Sequence, residues 1–159
     1  MYTSTLDTPI GKLVINANGQ DVYFVGFPAE IPEELPNEVS LNALKQFIFY
    51  FEGKSWLFDF PMKQPGSDFR QSVWKELINI PAGNPISYAH LSKKMNNPLA
   101  IRAIASANGK NNLMIVVPCH RVIGSNGDLV GFGGGLWRKK WLLDHEAKML
   151  GIGQASLAF

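Results

Sequence analysis

Cysteine is almost absent from this chain of 159 residues, which contains one, at position 119, together with three histidines spread along the sequence. One cysteine cannot form an intrachain disulfide or a cysteine-rich zinc site, and its scarcity is typical of a reducing compartment. The sequence also lacks an apolar run near the roughly 20 residues of a membrane span, and it lacks a secretion signal at its start. We therefore expect a soluble cytoplasmic protein that binds neither a membrane nor a metal ion.

Charge is sparse and unevenly distributed. Charged residues make up 18% of the chain and hydrophobic residues 46%, which is a globular composition. Residues 1–66 carry four Lys or Arg and eight Asp or Glu, whereas residues 67–159 carry eleven and five. The positive surplus indicates that only the second part meets a polyanion such as nucleic acid, although charge alone also fits a solvated basic face.

The first part has the pattern of a small mixed domain. Strand-like runs at residues 12–16 and 22–27 flank a turn-rich segment and predict an antiparallel hairpin. Apolar residues near helical spacing predict a helix over 39–51, and alternating aromatic residues predict a strand over 56–60. We predict an N-terminal α/β structural domain over residues 1–66, without a catalytic cluster.

The second part, residues 67–159, is mostly helical in pattern. Its first helix is predicted to begin with a capping box formed by Asp68 and Gln71 and to end before Pro81. A last helix is predicted over 136–150. The whole chain is therefore predicted to be an α+β protein with a small N-terminal domain and a mostly helical C-terminal one.

Two short helices in the second part resemble a helix-turn-helix. They are predicted over 88–95 and 99–107, with residues 96–98 as the turn between them, which gives a winged-helix-like arrangement. At 100° per residue, Ile101, Ile104 and Ala105 share one side of the second helix, which we expect to pack inward. The opposite side can approach DNA closely, or it can be an ordinary solvated face.

The lone cysteine stands in the string Val116-Val117-Pro118-Cys119-His120-Arg121-Val122. Residues 113–117 are predicted to form a buried strand that ends at Pro118, whose fixed φ turns the chain into Cys119. A nearby histidine and arginine favour the reactive thiolate, which distinguishes this cysteine from one that only packs in a core. Because neighbouring strand residues point to opposite faces, direct pairing of Cys119 with His120 requires a turn here.

A carboxylate that could complete a catalytic set lies in the last helix. Glu146 could orient His120, which would in turn draw the proton from Cys119. The residues alone also fit, and slightly favour, a solvated carboxylate at the helix end, because Glu is usually exposed. The glycine-dense segment 131–135 lacks the spacing of a phosphate-binding loop and predicts no nucleotide cofactor.

Taken together, these motifs resemble the O6-alkylguanine-DNA alkyltransferases. The motifs that carry the resemblance are Phe69 to Trp74, Ile86-Ser87-Tyr88, Arg102, Asn111, Pro118-Cys119-His120-Arg121-Val122, Gly134-Gly135-Leu136, Lys140, and Leu142-Leu143 with Glu146. They occur in the family's order over residues 67–148. The N-terminal part is similar mainly in its length and its hairpin start.

The resemblance implies a catalytic role for five residues. Cys119 would be the nucleophile and the permanent acceptor of the alkyl group. His120 would take its proton through a water molecule, and Glu146 would orient His120. Asn111 would organise hydrogen bonds around the site, and Tyr88 would assist rotation of the nucleotide and donate a proton to the departing guanine.

The resemblance also implies how DNA is bound. Arg102 would fill the gap left in the base stack, and Tyr88, Ala100, Ala103 and Ser106 would contribute to contact with the minor groove. The pocket for the rotated base would be formed by four residues, Val117, Pro118, Phe132 and Gly133. Phe132 and Gly133 stand where other members have hydroxyl-bearing residues, so contacts from those hydroxyls would be missing.

The implied function is repair of duplex DNA that contains O6-alkylguanine, with O4-alkylthymine as a second candidate substrate. The alkyl group would pass to Cys119 once and irreversibly, by a monomer that uses no cofactor. Three other functions are weighed against it. They are a related protein that binds the lesion without transfer, a helix-turn-helix regulator, and a cysteine hydrolase, which would need an oxyanion hole.

Overall fold

The computed structural model of the chain describes residues 1–97, 100–127, 129 and 131–151. The chain divides into two compact units. The first contains Met1–Pro65 and Asn112–Met114, and the second contains Gly66–Asn111 and the described residues from Ile115 onward. The sequence predicts a boundary between residues 66 and 67, whereas the structure has it between Pro65 and Gly66. The structure also assigns Asn112–Met114 to the first unit, which the sequence did not predict.

The first unit is built on a three-stranded antiparallel sheet in the order β1-β2-β3. Its strands are β1 (Tyr2–Thr8), β2 (Gly11–Ala17) and β3 (Val22–Gly26). The predicted hairpin corresponds to β2 and β3, whose register shifts at Asn16 and Ala17. Strand β1 was not predicted from the sequence, and it pairs with β2 over its whole length, from Tyr2 opposite Ala17 to Thr8 opposite Gly11.

One helix, α1 (Glu38–Phe51), packs on this sheet. It begins at a capping box in which the side chain of Asn37 accepts a hydrogen bond from the Ser40 amide. The predicted strand over 56–60 is wrong, because the Asp59 amide donates to the Gln46 side chain instead of to a neighbouring strand. The segment still packs on α1 through its aromatic residues, since the Phe58 ring lies 4.8 Å from that of Phe47.

The second unit consists mainly of four helices, α2 (Asp68–Ile78), α3 (Tyr88–Lys94), α4 (Ile101–Gly109) and α5 (Leu136–Met149). Two short strands, β4 (Ile86–Ser87) and β5 (Val122–Ile123), pair in parallel. The predicted cap of α2 is wrong by one residue. Ser67 is extended and its hydroxyl accepts from the Arg70 amide, which leaves Asp68 as the first helical residue.

The predicted helix-turn-helix corresponds to α3 and α4, which pack against each other. The part of the predicted turn and helix at residues 98 and 99 lies outside the described residues. The buried side of α4 consists of Ile104, Ala107 and Asn108. Ile101 is 41% exposed, so its predicted inward position is wrong, because the packed stripe starts one turn later. On the buried side of α4, the Ala107 carbonyl accepts a hydrogen bond from the Trp74 indole.

The segment 113–117 is buried but is not the predicted strand. Only Leu113 forms a bridge, to Val25, and the Met114 amide donates to the Val25 carbonyl. Ile115 then has a φ of +75°, which turns the chain out of an extended conformation. A β-branched residue gives no sign of such a turn in the sequence, since φ above zero is unfavourable for it. In the described ranges, no helix has both the length and the apolar character of a membrane span.

Candidate active site

The only cysteine lies at the start of a one-turn 3₁₀ helix, Cys119–Arg121. The Cys119 amide donates to the Val117 carbonyl and the Arg121 amide donates to the Pro118 carbonyl, which together close the turn. The side chain of Cys119 is almost wholly buried, and so is that of His120. The structure thus has a turn at the point where the sequence analysis required one, and both side chains belong to the interior of the second unit.

A buried ionic network stands beside the cysteine. His120 Nε2 lies 2.7 Å from Glu146 Oε2, and Arg121 binds both carboxylate oxygens, with Nε and a terminal nitrogen each at 2.8 Å. A further nitrogen of Arg121 donates to the Ile80 carbonyl at 2.7 Å. Glu146 is fully buried, so the solvated interpretation of this residue is wrong. Arg121 fixes the carboxylate, and the carboxylate fixes the imidazole.

The network determines which nitrogen of His120 is free to accept a proton. Burial by itself raises the pKa of the Glu146 carboxyl, but the charges and hydrogen bonds of His120 and Arg121 hold that pKa well below its usual value. Burial lowers the pKa of His120, and the positive charges of Arg121 and Lys139 act in the same direction, against Glu146. A neutral His120 beside a charged Glu146 carries its proton on Nε2. Nδ1 is then an acceptor, and no described protein atom bonds to it.

The Cys119 thiol does not ionise readily in this environment. Burial raises the pKa of Cys119, whereas a hydrogen bond from the side chain of Asn111 and the charge of Lys139 act to lower it. Asn111 is also tied to the backbone of this turn, since its Nδ2 donates to the Val117 carbonyl at 2.8 Å. Because burial dominates, most of the thiol is protonated near neutral pH, and a nearby base such as His120 has a proton to remove.

Lys139 is a site residue that the sequence analysis missed. It is fully buried on α5, and its Nζ donates to the carbonyls of Val122, at 2.7 Å, and Gly131, at 3.4 Å. Burial lowers its pKa to about 8, and the neighbouring Cys119 opposes that shift. The spacing of Lys139 in the sequence could have indicated its place in the site, because it precedes Glu146 by two helical turns and lies on the same face of α5. Lys140, which the resemblance singled out, is exposed and pairs with Asp144.

A cavity of about 330 Å³ opens beside Cys119, at the lower end of the range for ligand pockets. Its described lining consists of Tyr88, Ala105, Asn108, Gly109, Cys119, Gly131, Phe132 and Gly133. Two of the four predicted base-pocket residues, Phe132 and Gly133, are thus in the lining. Val117 and Pro118 are not among those described lining residues, because both are buried in the turn that carries Cys119.

The predicted DNA-contacting residues lie mainly on the outer side of α4. Arg102, Ala103 and Ser106 are exposed there, and Ala100 is half-buried just before the helix. Tyr88, at the start of α3, is instead buried and lines the cavity. The exposed side of α4 therefore carries small residues and one guanidinium, next to a cavity that contains a thiol.

Acid is expected to destabilise this network. Since His120 and Glu146 both have lowered pKa values in the folded protein, each binds its proton more readily when unfolded, and stability falls as pH falls. The loss from His120 begins below about 6.5, and that from Glu146 begins below about 4.3, their usual unfolded values. Urea unfolding at pH 7 and pH 5 measures the first part. A His120→Gln variant should lose less stability between these pH values, and an equal loss would contradict the assignment.

Two sequence families match the chain. Residues 68–148 match the family described as 6-O-methylguanine DNA methyltransferase, DNA binding domain. Residues 1–64 match the family described as 6-O-methylguanine DNA methyltransferase, ribonuclease-like domain. The two matches together account for nearly all of the described chain.

Individual proteins are similar along nearly their whole length. A methylated-DNA–protein-cysteine methyltransferase of Methanosarcina acetivorans is 37% identical over 153 residues, which cover 92% of this chain and 98% of the relative. One of Mycobacterium tuberculosis is 38% identical over 152 residues, 92% of each chain. The crystal structure of Mycobacterium tuberculosis OGT in complex with DNA has a TM-score of 0.85 at 37% identity and covers 94% of each chain. This similarity confirms the predicted α+β class.

Proposed function

The chain belongs to the 6-O-methylguanine DNA methyltransferase family, and we propose that it repairs DNA by moving the alkyl group of O6-alkylguanine onto its own Cys119. One observation carries the proposal. The single thiol of the chain lines a cavity and directly precedes a histidine held by a buried carboxylate. This arrangement supplies a nucleophile, a base and a space for the reacting group, which are the parts that the transfer needs.

The chemistry follows from the protonation states. His120 Nδ1 accepts the proton of Cys119 through a water molecule, and Glu146 stabilises the imidazolium that forms. The thiolate then attacks the alkyl carbon, a carbon–sulfur bond forms, and the bond between that carbon and the guanine oxygen breaks. Its electron pair stays with guanine, which receives a proton. The thioether is not hydrolysed under cellular conditions, so each protein molecule reacts once. The displacement requires no metal or organic cofactor.

Tyr88 is the residue that we propose as the proton donor to guanine. Burial, reinforced by the negative charge that Cys119 can carry, raises the pKa of its phenol to about 12. The phenol therefore keeps its proton throughout the physiological range. It lines the same cavity as Cys119, which places an acid and a nucleophile around one space.

The outer side of α4 is proposed to meet the minor groove of duplex DNA. Its small side chains, Ala103 and Ser106, permit close approach, and Arg102 is the wedge that occupies the position of the rotated nucleotide. We further propose that the protein acts as a monomer on DNA that carries the lesion. It would then work where cellular DNA is, in the cytoplasm at the nucleoid, or in the nucleus of a eukaryote.

The other functions leave observations unexplained. A protein that binds the lesion without transfer has no use for a thiol in the cavity, and a helix-turn-helix regulator has none for the buried network behind it. A cysteine hydrolase would release its product and turn over repeatedly. The relatives are named as methyltransferases, which favours transfer over these alternatives.

Titration with lesion tests the proposal. We expect the amount of O6-methylguanine removed from duplex DNA to rise with added lesion and to stop at one per protein molecule. Continued removal beyond that ratio would contradict a permanent acceptor. Lesion binding without any removal would support the binding-only alternative.

Replacing Arg102 by alanine is expected to weaken repair of duplex DNA by about tenfold or more, since unstacking a base costs a few kcal/mol. Transfer from free O6-benzylguanine needs no wedge and should fall much less. Single-turnover rates on the two substrates measure the difference. Lys110→Ala removes another exposed positive charge, directly after α4, and controls for a nonspecific loss of attraction to DNA. Equal losses on both substrates would refute the role of Arg102.

A further inference from the structure

Asn108 connects the two reacting side chains from the last turn of α4. It is 5% exposed, and it lines the same cavity as Tyr88 and Cys119. Its Nδ2 donates to the Tyr88 hydroxyl oxygen at 2.9 Å and to the Cys119 carbonyl at 3.3 Å. One amide group thus contacts the phenol on α3 and the backbone of the nucleophile.

The Cys119 carbonyl determines which way this amide points. A backbone carbonyl can only accept a hydrogen bond, so the nitrogen of the Asn108 amide must be the atom beside it. The Tyr88 oxygen lies against that same nitrogen and must therefore act as the acceptor. Since the phenol cannot give its proton to a nitrogen that is already donating, the proton remains available to another acceptor.

We propose that Asn108 is a positioning residue that holds the Tyr88 hydroxyl as a donor toward the cavity. The inference rests on the proposed function, because it concerns the proton that the departing guanine receives. Asn108 acts through Tyr88 and not on the substrate. Because the same amide nitrogen also donates to the Cys119 carbonyl, it holds the Tyr88 hydroxyl at a fixed place relative to the Cys119 backbone.

A purely structural role does not account for the residue. The Oδ1 atom of Asn108 is buried and has no hydrogen-bond partner among the described protein atoms. Burying an unsatisfied oxygen costs free energy, and an apolar residue of similar size would avoid that cost. The amide also lowers the pKa of the Tyr88 phenol against the effect of burial, which makes the phenol a better acid.

A double-mutant cycle tests the proposal. Asn108→Leu removes both hydrogen bonds that the amide donates, and we expect it to slow single-turnover transfer from O6-benzylguanine by about tenfold. Tyr88→Phe should slow transfer as well, and Asn108→Leu added to Tyr88→Phe should cause no further loss. Asn84→Leu, at an exposed position, controls for the substitution. Additive losses in the double variant would overturn the proposal.

A second variant keeps the test independent of folding. Asn108→Asp has nearly the same shape, but its carboxylate cannot donate and would accept the phenol proton instead. We expect a loss at least as large as that of Asn108→Leu. The reaction of Cys119 with iodoacetamide has no guanine to protonate and should keep its rate in Asn108→Leu, which adds no charge to the cavity. A parallel drop with iodoacetamide would show that Asn108 only supports the structure of the site.

The outcomes also separate this inference from the function on which it rests. If Tyr88→Phe slows transfer and neither Asn108 variant does, the inference fails while the proposed function stands. If Tyr88→Phe leaves the rate unchanged, the role of the phenol and the inference fail together. If the wild-type protein removes no alkyl group, the proposed function itself is wrong.

Discussion

Replacing Arg121 by methionine is expected to lower the free energy of unfolding by about 3–5 kcal/mol. Arg121 is 4% exposed and binds both oxygens of a fully buried carboxylate. Removing one partner of a buried ion pair leaves the other charge unpaired in the interior, and that is the main cost. Methionine has a similar length and no charge, so the loss of packing is small. Urea unfolding at pH 7 measures the change.

The exposed pair of Lys140 and Asp144 provides the matched control. Its nitrogen and oxygen are 2.7 Å apart, close to the 2.8 Å of the buried pair, but the Lys140 side chain is 55% exposed. Exposed pairs of this kind contribute less than about 1 kcal/mol, so Lys140→Met should change stability little. Similar effects of the two substitutions would mean that the buried network does not stabilise the fold as described.

The second large effect is expected at His120. His120→Gln keeps an amide that can donate to Glu146 and removes the imidazole base, so the rate of alkyl transfer should fall by about 10²–10⁴-fold near neutral pH. Because burial raises the pKa of the Cys119 thiol, a higher pH supplies thiolate without the base. The deficit should therefore shrink as the pH rises. Single-turnover rates with O6-benzylguanine from pH 6 to pH 9 measure both effects.

An exposed histidine provides the control for this substitution. His90 lies on the surface of α3, and His90→Gln should leave the rate with the free base unchanged. A His120→Gln protein that reacts at the wild-type rate would exclude His120 as the base. A deficit that stays constant at all pH values would indicate that the substitution damages the site instead of removing a proton acceptor.

The resemblance of the sequence motifs to a known family revealed much of this site. The lone cysteine, its neighbouring histidine and Glu146 could be named because the motifs around them are specific and occur in one order. The bounds of α2 to α5 were predicted within one or two residues over their described parts, because capping residues and prolines mark helix ends and apolar spacing marks a helical segment. Lys139, which lies on the inner face of α5 seven residues before Glu146, was not predicted, since lysine is usually exposed.

Contacts between segments far apart in the sequence could not be predicted. Arg121 meets Ile80 across 41 positions, and Asn108 meets Tyr88 across 20, so no local pattern encodes either bond. The strand predicted over 113–117 failed because the positive φ of Ile115 is a consequence of packing and opposes the preference of the residue itself.

The most direct test of the central claim is to locate the transferred group. The protein is incubated with duplex DNA containing O6-methylguanine, digested, and its peptides are weighed. We predict one added methyl group, on the peptide that contains Cys119, with none on the Cys119→Ala variant, whose DNA should keep its lesion. A methyl group on another residue, or repaired DNA with an unmodified Cys119, would contradict the account.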